Sequence, residues 1–193
     1  MTESVSPRKQ LNYGDGREAL LDASVRVVAR GGLRALTYRN VATEAGVAHG
    51  LVRHYFGNRD VLVKEALEHA TKESLTESGL EERISSIDDF AKDLVAWIHD
   101  DPEQQIFQYE LILQSIRQLE MQPAVKQLHK DYREAMRVQL EGLGFGDDPD
   151  LANLIFAAMD GLVFEQVALR DEDVMVRALE KLRDLLRAYK AQK

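Results

Sequence analysis

The side chains with chemistry to offer gather in one stretch, from Thr37 to Arg59. His49, Arg53 and His54 fall there, and on a helix His49 and Arg53, four apart, share one face. Donors grouped in that way suit base edges and phosphate oxygens, and an arginine can donate as a fork to guanine O6 and N7. No other chemistry has a comparable foothold. The five histidines (49, 54, 69, 99 and 129) are scattered without ligand spacing, and no Glu-x-x-His pair is present for a carboxylate-bridged di-metal bundle. There is no cysteine to act as a nucleophile, thiolate ligand or disulfide. No Ser/His/Asp pattern lies on a strand–turn–helix. Catalytic residues, metal ligands and cofactors are therefore all expected to be absent, and an all-helical enzyme is the weakest reading.

The flanking residues must position those donors. Thr37 is a good N-cap, because its hydroxyl can accept from a free N–H of the first turn. Val41, Ala42 and Ala45 put small apolar groups on one face, and Gly46 falls where the chain must turn sharply. Val47 follows as a plug. Leu51, Val52, Tyr55 and Phe56 then form the inner side of a second short helix, leaving Ala48, His49, Arg53 and His54 outside. Two helices around a glycine turn, the second bearing donors outward, is the helix-turn-helix plan for a DNA major groove. Gly50 would allow close approach, and Ala48 could meet a thymine methyl. Thr37, Tyr38 and Arg39 open the first helix, where free N–H groups suit a phosphate. Tyr55 is either core or a backbone contact, and Arg53 serves a base or a phosphate.

In order, the fragments Arg17-x-x-Leu20-Leu21-x-Ala23, Arg30-Gly31-Gly32-Leu33, Thr37, Val41-Ala42-x-x-Ala45-Gly46-Val47 and His54-Tyr55-Phe56-Gly57-Asn58-Arg59-Asp60-x-Leu62 resemble the DNA-binding domain of TetR-type regulators. The likeness covers about residues 17 to 65 in detail and the remainder in architecture alone. The chain departs from the usual pattern at Arg53, where tyrosine is common, at His49, where a lysine or glutamine-like residue is common, and at Leu51, where a hydroxyl residue is common. The resemblance implies an all-α fold: an N-terminal three-helix helix-turn-helix domain joined by a long helix to a C-terminal helical ligand-binding and dimerisation domain. It implies Lys64 as a further phosphate contact. It also implies a repressor that binds a palindromic DNA operator as a homodimer and is released by a small-molecule effector. A DNA-binding factor without an effector is the alternative.

Net charge agrees with that division. The 193-residue chain carries −8 overall, yet residues 1–60 hold nine basic and six acidic residues, giving +3, and the remainder carries −11. No apolar run approaches the roughly 20 residues of a membrane span, and the N-terminus lacks a secretory apolar core, so a cytoplasmic protein without membrane contact is expected. The expected boundaries are a flexible arm over 1–16, in which Arg8 and Lys9 could brush DNA, a helix-turn-helix domain over 17–58, and a helical body over 59–193.

Within the body, one long helix from Arg59 to Ser78 is the obvious mechanical link. Further helix starts are marked by Ser86 with Asp89, Asp101-Pro102, Pro123, Asp148-Pro149 and Asp171–Asp173. The second of these opens a helix to about Leu119 that is apolar on most sides and hence central. No repeat, low-complexity tract or strand-like alternation appears. Polar and aromatic residues on buried helices are the pocket candidates: Trp97, Phe107, Tyr109, Glu110, Gln114, Phe156 and Gln166, with His69 and Glu165 in reserve. Glu110, Gln114 and Arg117 could form one internal polar line. An apolar or amphipathic ligand is expected. The last two helices carry Leu151, Ile155 and Leu162, then Met175, Leu179, Leu182 and Leu186, as candidates for a dimer interface.

Overall fold

The computed structural model describes residues 13–192. The fold is all-α, with nine helices, three one-turn 3-10 segments and no strand among the described residues. The helices are α1 (Tyr13–Gly31), α2 (Tyr38–Glu44), α3 (His49–Phe56), α4 (Arg59–Glu77), α5 (Leu94–Asp100), α6 (Glu103–Ser115), α7 (Gln122–Gly142), α8 (Pro149–Leu169) and α9 (Glu172–Lys190). The 3-10 turns lie at Leu33–Ala35, Ile87–Asp89 and Leu119–Met121.

Side-chain caps mark the starts of α2, α4, α8 and α9. Thr37 accepts from Asn40 N–H, Asn58 from Val61, Asp148 from Leu151 and Asp171 from Val174. Asp101 accepts from Glu103 N–H at 3.0 Å, ahead of α6. The structure differs from expectation in three places. The first helix begins at Tyr13, four residues early; the rest of the expected arm, with Arg8 and Lys9, lies outside the described residues. The helix expected from Ser86 is instead a 3-10 turn, capped by Ser86, and the seven-residue α5. Between them Ala91 takes a left-handed φ of 53°. That break lets Phe90 bury completely and turns its carbonyl toward Arg183 Nε, which donates at 2.9 Å. The central helix α6 stops at Ser115, whose hydroxyl donates back to Ile112 O, so Leu119 belongs to the next turn.

Two cores are formed. The first gathers Leu20, Val28, Leu36, Val41, Val52 and Phe56 from the amino-terminal helices with Leu62 and Ala66 of α4. It is closed from the body by Phe107 and Leu111 of α6 and Val125 and Leu128 of α7. Apolar packing thus runs across residue 58 without a break. The second core packs Phe90, Leu94 and Ile98 with Met136, Leu140 and the inner sides of α8 and α9. One segment departs from the absence of long apolar runs: α8 has 21 residues and a mean hydropathy of 1.4 over its most apolar window, long and apolar enough by composition to cross a membrane. Only 28% of that window is buried within the chain.

Candidate functional site

The reading head is built around α2 and α3. Gly46, at φ 68°, makes the turn between them, and no atom would obstruct a side chain there; its requirement is conformational. Val52 and Phe56 anchor α3 in the first core, with Leu51, Tyr55 and Val47 half-buried beside them. Ala48, His49, Gly50, Arg53 and His54 are exposed, as are Thr37 and Arg39 at the start of α2. Three candidates are partly engaged. Tyr38 donates its hydroxyl to Gly57 O at 3.1 Å. A side chain added at Gly16 would lie 3.1 Å from the Tyr55 hydroxyl, which therefore packs on α1. Lys64 pairs with Glu68 at 3.5 Å, an exposed contact of small energetic weight that leaves the ammonium accessible.

The second site lies in the body. A cavity between α4, α5, α6, α7 and α8 is walled by Trp97, Tyr109, Tyr132, Phe156 and His129, with Leu94, Leu128, Met136 and Met159 between them. Its polar side is a connected network. Ser74 donates to Gln104 Oε1 at 2.7 Å, Gln108 Nε2 donates to Ser74 Oγ at 2.9 Å, and Tyr132 donates to Gln108 Oε1 at 3.0 Å. Opposite, the Tyr109 hydroxyl donates to Asp160 Oδ1 at 3.0 Å. Burial raises both tyrosines above the ordinary phenol range, Tyr109 further because of Asp160. His129, edge-on to Phe156, is lowered from the ordinary imidazole range by burial. Asp160 is thus the carboxylate of an otherwise neutral lining. The cavity has a free volume of about 50 Å³. At ~10–15 Å³ per site, that is room for a few waters.

Three pocket candidates, Trp97, Tyr109 and Phe156, meet at this cavity; the others do not. Phe107 is fully buried in the first core. Gln166 lines a small crevice of about 60 Å³ between α8 and α9, with Glu165. Glu110 and Gln114 turn the other way with Arg117, so the expected internal polar line instead borders an open groove of about 540 Å³ against Gly32, Leu33, Arg34 and Arg59. There Glu110 Oε1 accepts from Leu33 N–H at 3.1 Å, and Glu103 accepts from Arg30 Nε at 2.7 Å. Arg59 donates to Leu33 O at 2.7 Å and Leu36 O at 3.1 Å. One face of α6 therefore lines the cavity while another holds the turn that leads into the reading head. His69 lies at neither place and pairs with Asp22 between α1 and α4.

The interface candidates on α8 and α9 also divide. Ile155, Met175, Leu179 and Leu186 are buried in the chain's own core, whereas Leu151, Leu162 and Leu182 are half-buried. The face left open carries Leu154, Phe164 and Leu169 on α8 and Val174, Leu185 and Tyr189 on α9.

Two family models match the chain. "Bacterial regulatory proteins, tetR family" covers residues 20–66, and "Tetracyclin repressor-like, C-terminal domain" covers residues 85–189, more than half of the chain. The chain belongs to the TetR family. It is a transcriptional regulator with a helix-turn-helix DNA-binding domain. Among similar proteins, the HTH-type transcriptional regulator BetI of Brucella anthropi is 37% identical over 57 residues, 30% of this chain; that match spans 29% of the relative's length. The HTH-type transcriptional regulator PksA of Bacillus subtilis is 25% identical over 181 residues, 91% of this chain and 78% of that one. The multidrug binding protein EbrR, in complex with imidazole, has a TM-score of 0.60 at 26% identity, over 86% of this chain and 93% of that one.

For a TetR-family chain the reading head is the more legible half. Gln105, Gln108, His129, Tyr132 and Asp160 escaped the sequence reading because glutamines and an aspartate on apolar helices look like solvent-facing residues. The available signal was the triplet Gln104, Gln105 and Gln108, set among apolar neighbours on a helix too apolar to be a surface one. Arg59 was legible only as part of a motif; its bonds to the carbonyls of Leu33 and Leu36 show why a guanidinium stands there.

Proposed function

We propose that this TetR-family regulator binds a two-fold operator as a homodimer, represses transcription there, and leaves the DNA when a small organic effector enters the body cavity. In this reading residues 17–58 form the head, residues 59–193 form the body, and the protein works in the cytoplasm. His49, Gly50 and Ala48 meet base edges, while Thr37, Tyr38, Arg39, Arg53, His54 and Lys64 hold phosphates. The observation that carries the proposal is the double engagement of α4 and α6. Ser74 of α4, and Gln105, Gln108 and Tyr109 of α6, line the cavity, while Arg59 and Glu110 of the same two helices hold the segment that leads into the head. A change of cavity width must therefore displace the heads.

The present cavity is too small for a drug-sized molecule, so the effector selects a wider conformer, and only that differential affinity can drive release. Aromatic walls with one carboxylate favour an apolar or amphipathic molecule that can donate to Asp160. EbrR, with imidazole, proflavin or ethidium bound, supports a small-molecule role for this type of body. The open face around Leu154 and Leu185 is the surface on which two copies pair, placing two α3 helices for successive major grooves about 34 Å apart.

The closed cavity also favours a second reading, a regulator without an effector. Fluorescence anisotropy with inverted repeats from the DNA upstream of its own gene separates the two. The first reading expects nanomolar binding that a compound library reverses; the second expects binding that no compound reverses. Absence of binding to every repeat at modest salt defeats both. Leu154→Asp with Leu185→Asp is expected to give monomers by light scattering and to abolish operator binding. A surviving dimer moves the interface elsewhere.

A further inference from the structure

We propose that Asp22, His69 and Glu73 form a site for one borderline divalent transition-metal ion of the zinc type, clamping α1 to α4. Two carboxylates from different helices converge on a single imidazole nitrogen. His69 Nε2 lies 2.6 Å from Asp22 Oδ1 and 3.4 Å from Glu73 Oε2. The three donor atoms all lie within 4.8 Å of one another. Around an ion bound at about 2.0–2.2 Å, donors sit roughly 3–3.5 Å apart. The His69–Glu73 spacing of 3.4 Å already matches, the His69–Asp22 distance has to lengthen by less than about 1 Å, and the 4.8 Å limit on the remaining pair leaves Asp22 and Glu73 within a small side-chain adjustment of it.

The surroundings fit a cation better than they fit a simple ion pair. One N–H can donate to only one of the two carboxylates, so the second is left facing negative charge. Glu18 and Glu77 add to the negative field at Glu73. Among the described residues, no lysine or arginine pairs with any of these four acids. A dication replacing the shared proton would balance the charges of Asp22 and Glu73. The His69 side chain is only 14% exposed and is held in place, whereas Asp22 and Glu73 are 40% exposed and reachable by a hydrated ion.

One nitrogen and two carboxylate oxygens form a donor set for zinc, cobalt, nickel or manganese rather than for magnesium or calcium, which prefer all-oxygen cages. Three protein ligands leave further positions to water. The histidine–glutamate pair has the i, i+4 spacing of one helical face, and only the packing of α1 on α4 adds Asp22.

The full chain, stripped with a chelator and dialysed, is titrated with Zn²⁺ by calorimetry and with Co²⁺ by visible absorption. Wild type is compared with His69→Gln, Asp22→Asn, Glu73→Gln and the distant control His99→Gln. One Zn²⁺ per chain is expected, together with a Co²⁺ ligand-field band. Roughly tenfold or greater weakening is expected in the three site variants and none in the control. No saturable binding by wild type overturns the proposal. So does equal affinity in wild type and the site variants, or Mg²⁺ binding as tight as Zn²⁺. If His69→Gln fails to fold by circular dichroism, the two half-exposed carboxylate variants decide alone. Operator binding is measured separately, so failure of the metal site leaves the DNA reading untouched.

Discussion

Replacing Arg53 by alanine tests how the reading head holds DNA. Arg53 is exposed one turn beyond His49 on the outer face of α3, with no carboxylate of the described residues paired to it. In the proposed reading the base contacts come from the first residues of this helix, and Arg53 holds a phosphate. A dimer would bring two copies, each neutralising one phosphate. The slope of log affinity against log salt should therefore become shallower by about 1.8 in the variant, at ~0.9 per phosphate. Between 50 and 200 mM salt the gap between wild type and variant should then shrink by about twelvefold. Anisotropy titrations over that range, on the operator and on unrelated duplexes, read both quantities. Weakening should be similar on the two DNAs. An unchanged slope, with loss confined to the operator and amounting to about 1–3 kcal/mol per half-site, would refute the phosphate assignment and make Arg53 a base reader.

Two further outcomes follow from the body. Phe107→Ala should destabilise the chain by about 3–5 kcal/mol in denaturant unfolding, because Phe107 is fully buried where head and body share a core. A loss under about 1 kcal/mol would show that the neighbouring helices close onto the space left by the ring. His129 should make the fold sensitive to acid. Its imidazole is lowered by burial, so the unfolded chain takes up the proton first as pH falls through about 6.5. Stability then declines with acidification until the folded imidazole protonates as well. In His129→Leu that contribution disappears, and the difference in melting temperature between variant and wild type should shift in favour of the variant between about pH 7.5 and 5. A constant difference across that window would show that His129 does not resist protonation.

What was legible in the chain depended on how local the cause was. Caps such as Thr37, Asn58, Asp148 and Asp171 act within three residues, so the helix starts could be read directly. The outward set on α3 followed from helical periodicity, since an eight-residue helix with Val52 and Phe56 inside has only one other side. The break at Ala91 was not legible, because its cause is the burial of Phe90 against α9, far along the chain.

By itself the sequence determined the all-helical class, the basic amino-terminal part on an acidic remainder and the place of the helix-turn-helix, all of which rest on short-range spacing, caps and charge. Only the tertiary structure decided which side of each body helix met which neighbour. Glu110 went to the head rather than the cavity, Gln108 to the cavity rather than solvent, and Ile155 and Leu179 to the core rather than the open face. A helix apolar around most of its circumference has several sides equally fit for burial, and only the packing of the other helices selects among them.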